Sequence, residues 1–371
     1  MLLQLAGVVT IGIWVYLLLA RRAEWRQLPI PHRKSAPPVT AIIPARNEEA
    51  TVAAAVASLA QQAYPGEFHI ILVDDASDDG TVACALASAP PSRLTVVRAA
   101  PLPAGWTGKL WAMAEGVRHA ARCQPHYFLF TDADIVHPPE NLAGLVARAQ
   151  EGNFALVSYM ATLRCRSIAE RTLVPAFVFF FFLLYPPRWI RNPRLQTAGA
   201  AGGCILLRRD ALARIGGLES IRGELIDDCA LAWAVKHHRG SVWLGLSPET
   251  RSIRDYRTFG EIGRMISRTA FTELRHSSLL LAGTLLAMAI VFVAPPALTL
   301  AAAQPARGLG ALAWLLMSAA YVPALRYYHR SPLWAPFLPL VALFYAGSTL
   351  HSAVSYWRGA GGLWKGRVQS R

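Results

Sequence analysis

"YFLFTDADIV" (residues 127–136) runs an apolar strand straight into two aspartates one residue apart. In a strand, successive side chains point to opposite faces, so Asp132 and Asp134 are expected on one face with Ala133 turned away. Two carboxylates then converge where the strand ends. A solvated turn, in which aspartate is also favoured, is the competing reading of an isolated D-x-D. The neighbouring stretches decide between the two.

Outward from this point the same design repeats. "VTAIIPARNE" (39–48) is an apolar strand stopped by Pro44, and the alanine-rich "EEATVAAAVASLAQQ" after it has helical composition. "FHIILVDDASDDGT" (68–81) is a continuous apolar strand ending in aspartates and turn residues. "LTVVRAA" is a further strand, and a helical stretch covers residues 109–122. Continuous apolar strands alternating with helices predict an α/β domain with a mostly parallel sheet flanked by helices on both faces. In such sheets ligands sit beyond the carboxyl ends of the strands. "ARNEE", "DDASDD" and "TDAD" all stand at such ends, so Arg46, Glu48, Asp75, Asp132 and Asp134 are expected at one rim. That co-location favours a site over a turn.

Of the 371 residues, 54% are hydrophobic and only 16% charged, too apolar a balance for an ordinary soluble enzyme. Residues 1–20 carry no charge and run into "RRAEWR", the pattern of a transmembrane anchor over 1–21. A cleaved signal peptide would begin with a basic segment and end in a small-residue cleavage site, and neither is visible. The uncharged stretches 277–306, 308–325 and 331–357 are each long enough to span. A soluble domain is expected over 38–275 and a basic tail over 358–371. Within the domain, "TLVPAFVFFFFLLYPP" (172–187) is uncharged, short and bounded by proline. It is expected to be an interfacial or re-entrant segment that brings the rim to the bilayer, with a buried core helix as the alternative.

The net charge of +14 gathers beside the apolar segments, where anionic lipid headgroups attract it. Aromatic residues lie in apolar runs and are not interleaved with basic ones, which argues against nucleic acid. The five cysteines (Cys84, Cys123, Cys165, Cys204, Cys229) form no C-x-x-C pair and no zinc-like spacing with histidine. They read as small buried hydrophobes on a reducing cytoplasmic face. No repeat of 20–50 residues is apparent.

A carboxylate-rich rim cannot hold an anion unaided. With Mg2+ or Mn2+ the logic reverses, because the hard cation takes carboxylate oxygens on one side and diphosphate oxygens on the other, with Asp134 as principal ligand. "GWTGK" (105–109) is not a Walker A loop, which would need glycine at Pro103 and a hydroxyl residue at Leu110. Lys109 nevertheless begins a helix on the same side of the sheet, where it either pairs with phosphate or is simply solvated. In "GELIDDCALAWAVKHH" (223–238), Asp227 and Asp228 precede an amphipathic helix, as caps or as a general base. Gly202 and Gly203 in "GAAGGCILLRRDAL" (199–212) let backbone approach a ligand, or form a turn or bulge.

In order, "IIPARNE", "LVDDASDDGT", "GWTGK", "TDAD", "AGGCILLRRDAL" and "IDDCALA" resemble the family 2 inverting glycosyltransferases of GT-A fold, across nearly the whole soluble domain. With "GWTGKLWA", "SRTAFTELRHS" and the terminal spans, the chain is similar to the hopanoid-biosynthesis-associated glycosyltransferases of bacterial membranes. The resemblance implies that Pro44, Ala45, Arg46 and Glu48 line a nucleotide pocket, with Asp75 at the base or ribose. It implies Lys109 near the diphosphate, Asp132 near the sugar or ribose, Asp134 on the metal and Asp228 as catalytic base. Asp227 replaces the family's usual glutamate. The family's Q-x-x-R-W motif is poorly kept: Arg268 stands for its arginine, but Met265 and Thr269 replace glutamine and tryptophan, which argues against processive synthesis. The implied activity is transfer of a sugar from a nucleotide-diphosphate donor, UDP by family expectation, to a lipid hydroxyl with inversion. The implied location is the bacterial cytoplasmic membrane, with the catalytic domain facing the cytoplasm.

One anchor and three C-terminal spans would leave the basic "GGLWKGR" (361–367), which resembles a cytoplasmic tail, outside the cell against the positive-inside tendency, unless one segment is re-entrant. A transporter would carry ionisable residues within its spans, yet among ionising types other than tyrosine the C-terminal stretches hold only His351. No G-x-G-x-x-G follows a predicted strand, which disfavours a dinucleotide oxidoreductase.

Overall fold

The computed structural model of the chain describes residues 1–25, 29, 34–359, 363–364 and 367–368, so most of the expected basic tail lies outside the described residues. Helix α1 (Leu2–Arg21) precedes strand β1 (Val39–Ala45). Helices α2 (Val52–Ala60), α3 (Thr81–Leu86) and α4 (Gly108–Ala120) alternate with β2 (Phe68–Asp74), β3 (Leu94–Arg98) and β4 (Tyr127–Thr131). Next come β5 (Ile135–Val136), α5 (Asn141–Glu151), β6 (Leu156–Thr162), α6 (Ile168–Leu184) and α7 (Pro187–Arg191). They are followed by β7 (Cys204–Arg208), α8 (Arg209–Arg214), α9 (Asp227–His237) and β8 (Val242–Ser252). The remainder is helical: α10 (Phe259–Ser267), α11 (Ala270–Glu273), α12 (Ser278–Met288), α13 (Ala294–Ala301), α14 (Ala306–Tyr327) and α15 (Leu338–Trp357). A π-turn (Ala289–Val293) joins α12 to α13, and a short pairing of Leu363–Trp364 with Arg367–Val368 follows α15.

The chain divides into two compact units. One comprises Gln27–Arg164, Pro187–Asp255 and Leu363–Arg371, and the other Met1–Arg26, Cys165–Pro186 and Tyr256–Gly362. The domain expected over 38–275 is thus interrupted: residues 165–186 and 256–275 belong to the helical unit.

The first unit is built on an eight-stranded sheet in the order β3-β2-β1-β4-β7-β6-β8-β5. Strands β1 and β4 are buried at every position, as their continuous apolar sequences require when helices cover both faces of a sheet. β1 pairs in parallel with β2 and β4, and β2 with β3, so the carboxyl ends of these four strands share an edge. β7 runs antiparallel between β4 and β6, with Cys204 opposite Thr131. This reversal brings the residues just before β7 to the carboxyl edge of β4.

A buried polar network pins that edge. Asn141 Nδ2 donates to His137 Nδ1 at 2.9 Å, which leaves His137 Nε2 to donate to Thr131 Oγ1 at 2.9 Å. Thr131 Oγ1 in turn donates to the Gly203 carbonyl at 2.8 Å, and Thr250 Oγ1 donates to Asn141 Oδ1 at 2.8 Å. Burial pushes the His137 imidazole down to about 3, so it stays neutral and can accept from Asn141.

In the helical unit, α1 and α14 run in the same direction: Gly7 packs on Leu309, and Leu18 shares a cavity wall with Ala320. α13 runs against both, with Gly310 of α14 on Leu298 and Trp14 Nε1 donating to the Val291 carbonyl at 3.1 Å. Phe271, Leu281 and Ala353 form one cluster, so α15 ends where α12 begins. Among the described residues, five segments are long and apolar enough to cross a membrane: Leu2–Arg21, Ile168–Arg191, Ser278–Ala301, Ala306–Tyr327 and Pro332–Trp357. The segment expected over 172–187 starts earlier because Ser167 and Glu170 form a capping box. Glu170, fully buried, also accepts from the N–H groups of Arg166 at 2.7 Å and Tyr256 at 2.9 Å, which ties the start of α6 to the approach to α10.

Cys204 and Cys229 are buried as expected, but Cys123, in a short 3-10 turn after α4, is exposed. Asn141→Leu removes both halves of the amide's bonding and strands buried partners on His137 and Thr250. It should cost about 1–3 kcal/mol and lower the midpoint of thermal unfolding, whereas an unchanged midpoint would show that the network does not hold the edge.

Candidate active site

The loops after β1 and β2 are laced together. Asn47, in the left-handed region at φ 52°, donates through its N–H to Ser77 Oγ at 3.0 Å and accepts from the Asp78 N–H at 3.1 Å. The Glu48 N–H donates to Thr81 Oγ1 at 2.8 Å. Ala76 also sits at φ 53°, a strained conformation for alanine of the kind that clusters at functional sites. Arg46 Nη1 donates to the carbonyls of Asp75 and Ala76 and lies 3.8 Å from Asp75 Oδ2. Pro44 and Ala45 lie buried at the end of β1, which aims Arg46 at that loop.

Asp132 and Asp134 do not share a strand face. β4 stops at Thr131, and the Ile135 N–H reaches back to the Asp132 carbonyl at 3.2 Å, making a turn. The reading as a turn is therefore correct for the backbone, and Ala133 is buried within it. The turn sends the two carboxylates to different cations. Asp132 Oδ1 is 2.9 Å from Lys109 Nζ. Asp134 Oδ2 accepts from Arg254 Nε at 2.7 Å and from Ser252 Oγ at 3.1 Å.

Arg254 also donates through Nη2 to both oxygens of Glu48, at 2.7 and 2.9 Å, so one guanidinium joins the β1 loop to the D-x-D turn. Sequence reasoning missed Arg254, Ser252 and Asn47. "TRSIRDYR" carries no local signal, and only the pairing of Ile135 with Ser252 delivers Arg254 to the turn.

Lys109, the second residue of α4, is no solvated lysine. Its Nζ lies 2.9 Å from Asp132 Oδ1 and 3.1 Å from Asp227 Oδ2, with the side chain 18% exposed. Burial works against its charge, but Asp132, Asp227 and Asp228 outweigh that and hold it well above the ordinary lysine value. Asp228 Oδ2 accepts from the Gly202 N–H at 2.8 Å, and Oδ1 from the Cys229 N–H at 2.8 Å. Burial first, then the adjacent Asp227, pushes its carboxyl up to about 6, against the opposing pull of Lys109.

A Cβ on Gly202 would lie 3.2 Å from Asp228 Oδ2 and 3.3 Å from Lys109 Nζ, so the glycine is needed for close approach. Gly203 is as tight, with 3.0 Å left to Ile135 Cδ1. Pro44, Lys109, Asp132, Gly202, Asp227 and Asp228 line one crease whose interior is too tight for a water molecule. Arg268, at the C-terminal end of α10, belongs to the helical unit.

Among the described residues, no group of three or more His, Cys, Asp and Glu side chains is gathered to hold a metal ion. The donor set still suits a hard divalent cation. Glu48, Asp132 and Asp134 offer only oxygen, and burial pushes the Asp134 carboxyl up despite Arg254.

Residues 40–216, slightly less than half of the chain, match the family model "Glycosyl transferase family 2". No curated protein matches the chain in sequence. Among solved structures, the mannosyltransferase PcManGT from Pyrobaculum calidifontis, in complex with GDP-Man and Mn2+, is similar with a TM-score of 0.56 at 19% identity. The match covers 98% of this chain and 100% of that one, which establishes a GT-A-like fold. Glucosyl-3-phosphoglycerate synthase from Mycobacterium tuberculosis, in complex with Mn2+, UDP-Glc and glycerol 3-phosphate, gives a TM-score of 0.41 at 22% identity, covering 65% of this chain and 80% of that one.

An infrared titration that follows the carboxyl band lost in Asp228→Asn should give a midpoint near 6, and Lys109→Met should move it upward by removing the cation that opposes the shift. A midpoint in the ordinary carboxylate range would mean that Asp228 is not buried beside Asp227.

Proposed function

We propose that the protein transfers a sugar from a nucleoside-diphosphate donor to the hydroxyl of a membrane lipid, with inversion. The observation that carries this reading is Asp228, a half-buried carboxylate held by two N–H groups in the crease it shares with Lys109 and Asp132. With its carboxyl at about 6 it is ionised at neutral pH and is a stronger base than an exposed aspartate. It takes the proton of the acceptor hydroxyl as that oxygen attacks the anomeric carbon. The bond from sugar to phosphate breaks on the opposite face, and the nucleoside diphosphate departs with the bonding electrons.

Pro44, Ala45, Arg46, Glu48 and Asp75 would bind the nucleoside. Lys109, drawn away from Asp132 and Asp227, would pair with the diphosphate, and Asp132 would meet the sugar or ribose. Gly202, Gly203 and Asp227 would border the acceptor or phosphate side. Asp134, with Asp132 beside it, would hold Mg2+ or Mn2+. When bound, such an ion supplies positive charge against the departing diphosphate. The Mn2+ named with the mannosyltransferase PcManGT supports that assignment.

The five apolar segments support a membrane enzyme. The segment Ile168–Arg191 leaves the sheet after β6 and returns to it at β7, and these strands are hydrogen-bonded neighbours, which favours a re-entrant course over a crossing. Similarly, α15 ends at the level where α12 begins, the same end at which α1 and α14 finish. Three crossings by α1, α12–α13 and α14 then leave Arg21, Arg275, Arg326 and Arg358 at that end and Arg307 at the other. This asymmetry supports a cytoplasmic catalytic domain and returns the basic tail to the same side. A hopanoid-type alcohol in a bacterial cytoplasmic membrane is the acceptor that the subfamily resemblance implies.

Asp228→Asn should reduce transfer by about a hundredfold to ten-thousandfold while leaving donor affinity in calorimetry within about twofold. In the wild type, kcat/KM should fall about tenfold per pH unit below 6 and level off above it, since only the ionised carboxylate accepts the proton. Full transfer by the variant sinks the assignment. Asp134→Ala should abolish the Mn2+-dependent part of donor binding, and metal-dependent binding equal to wild type would rule out Asp134 as the ligand.

A further inference from the structure

The helical unit contains a cavity of about 410 Å3 at the C-terminal ends of α1 and α14, closed on a third side by α6. Leu18, Phe182 and Ala320 give it apolar walls, while Arg21, Glu24 and Arg326 gather at its polar end. Trp25 completes that end, with its ring 5.3 Å from Phe182 and 6.2 Å from Tyr327. Glu24 is almost wholly buried and pairs with Arg21 at 3.1 Å, so the two arginines exceed the acid by one positive charge. Arg326, in the last turn of α14, is exposed. The lining is continuous with the outward apolar face of α1, where Leu19 is 80% exposed, as a segment facing hydrocarbon requires.

A cavity of this size with apolar walls and a few convergent polar groups has the form of a ligand site. Its chemistry is amphipathic, with one end suited to hydrocarbon and the other to an anion. We propose that it binds one anionic phospholipid, with acyl chain against Leu18, Phe182 and Ala320 and phosphate at Arg326 and Arg21. The proposal needs only that the helical unit be embedded in a bilayer. A juxtamembrane basic residue is attracted to an anionic surface, and confinement against apolar walls makes that attraction local.

The test uses the full chain in detergent micelles doped with phosphatidylglycerol, phosphatidylcholine or a neutral lipid alcohol, read by native mass spectrometry and by thermal unfolding. Phosphatidylglycerol should be retained at one per chain and raise the unfolding midpoint by several degrees more than phosphatidylcholine. Arg326→Gln should cut that difference by at least half, and Ala320→Phe should abolish retention. Should Ala320→Phe fail to fold, Arg326→Gln alone decides the outcome. Equal retention of the two phospholipids, or no change in Arg326→Gln, overturns the proposal. Preferential retention of the lipid alcohol overturns it as well and assigns the cavity to the acceptor. None of these outcomes bears on Asp228, so failure here is distinguishable from failure of the catalytic reading.

Discussion

A single ammonium group holds the crease together. Lys109 lies between Asp132 from the turn after β4 and Asp227 from the start of α9, and Asp228 adds a further negative charge. These groups are half-buried, so solvent compensates part of the charge left behind when one partner is removed. Three acids around one lysine can be tolerated only while that lysine stays protonated, and the crease is built so that it does. On the proposed reading, a phosphate entering the crease would compete for the same ammonium, and the acids would rearrange as the donor binds.

Arg254 repeats the device a short distance along the chain edge, joining Glu48 to Asp134. The D-x-D turn is thus stretched between two cations, Asp132 toward one and Asp134 toward the other. This division follows from the backbone: a strand would have aimed both carboxylates the same way, whereas the turn at Asp132–Ile135 separates them. Glu48 and Asp134 are paired with a guanidinium and Asp132 with an ammonium, interactions that an arriving metal would have to replace.

The helical unit answers a different constraint. Only 17% of the residues in the most apolar part of α1 are buried, rising to 50% in the segment containing α6, so much apolar surface stays exposed. Lipid completes the burial that the protein leaves undone. Glu170 accepts from the backbone N–H groups of Arg166, Ser167 and Tyr256, which helps an acid to be tolerated at the start of such a segment.

Much of this was legible in the sequence. The continuous apolar strands of β1, β2 and β4 announced a sheet covered on both faces, and the polar residues at their ends announced the rim, because strand periodicity and the edge rule depend only on local order. The uncharged runs announced apolar helices for the same reason. What local order cannot carry is which distant residue completes a charge. Arg254 reaches Asp134 only because β5 pairs with β8, and Gly202 reaches Asp228 and Lys109 only because β7 runs backward beside β4. The sequence by itself determined that an acidic edge and apolar helices exist. Tertiary structure alone decided which cation each acid holds, since an ion pair is fixed by distance in space and a 120-residue separation such as Asp134 to Arg254 leaves no trace in periodicity.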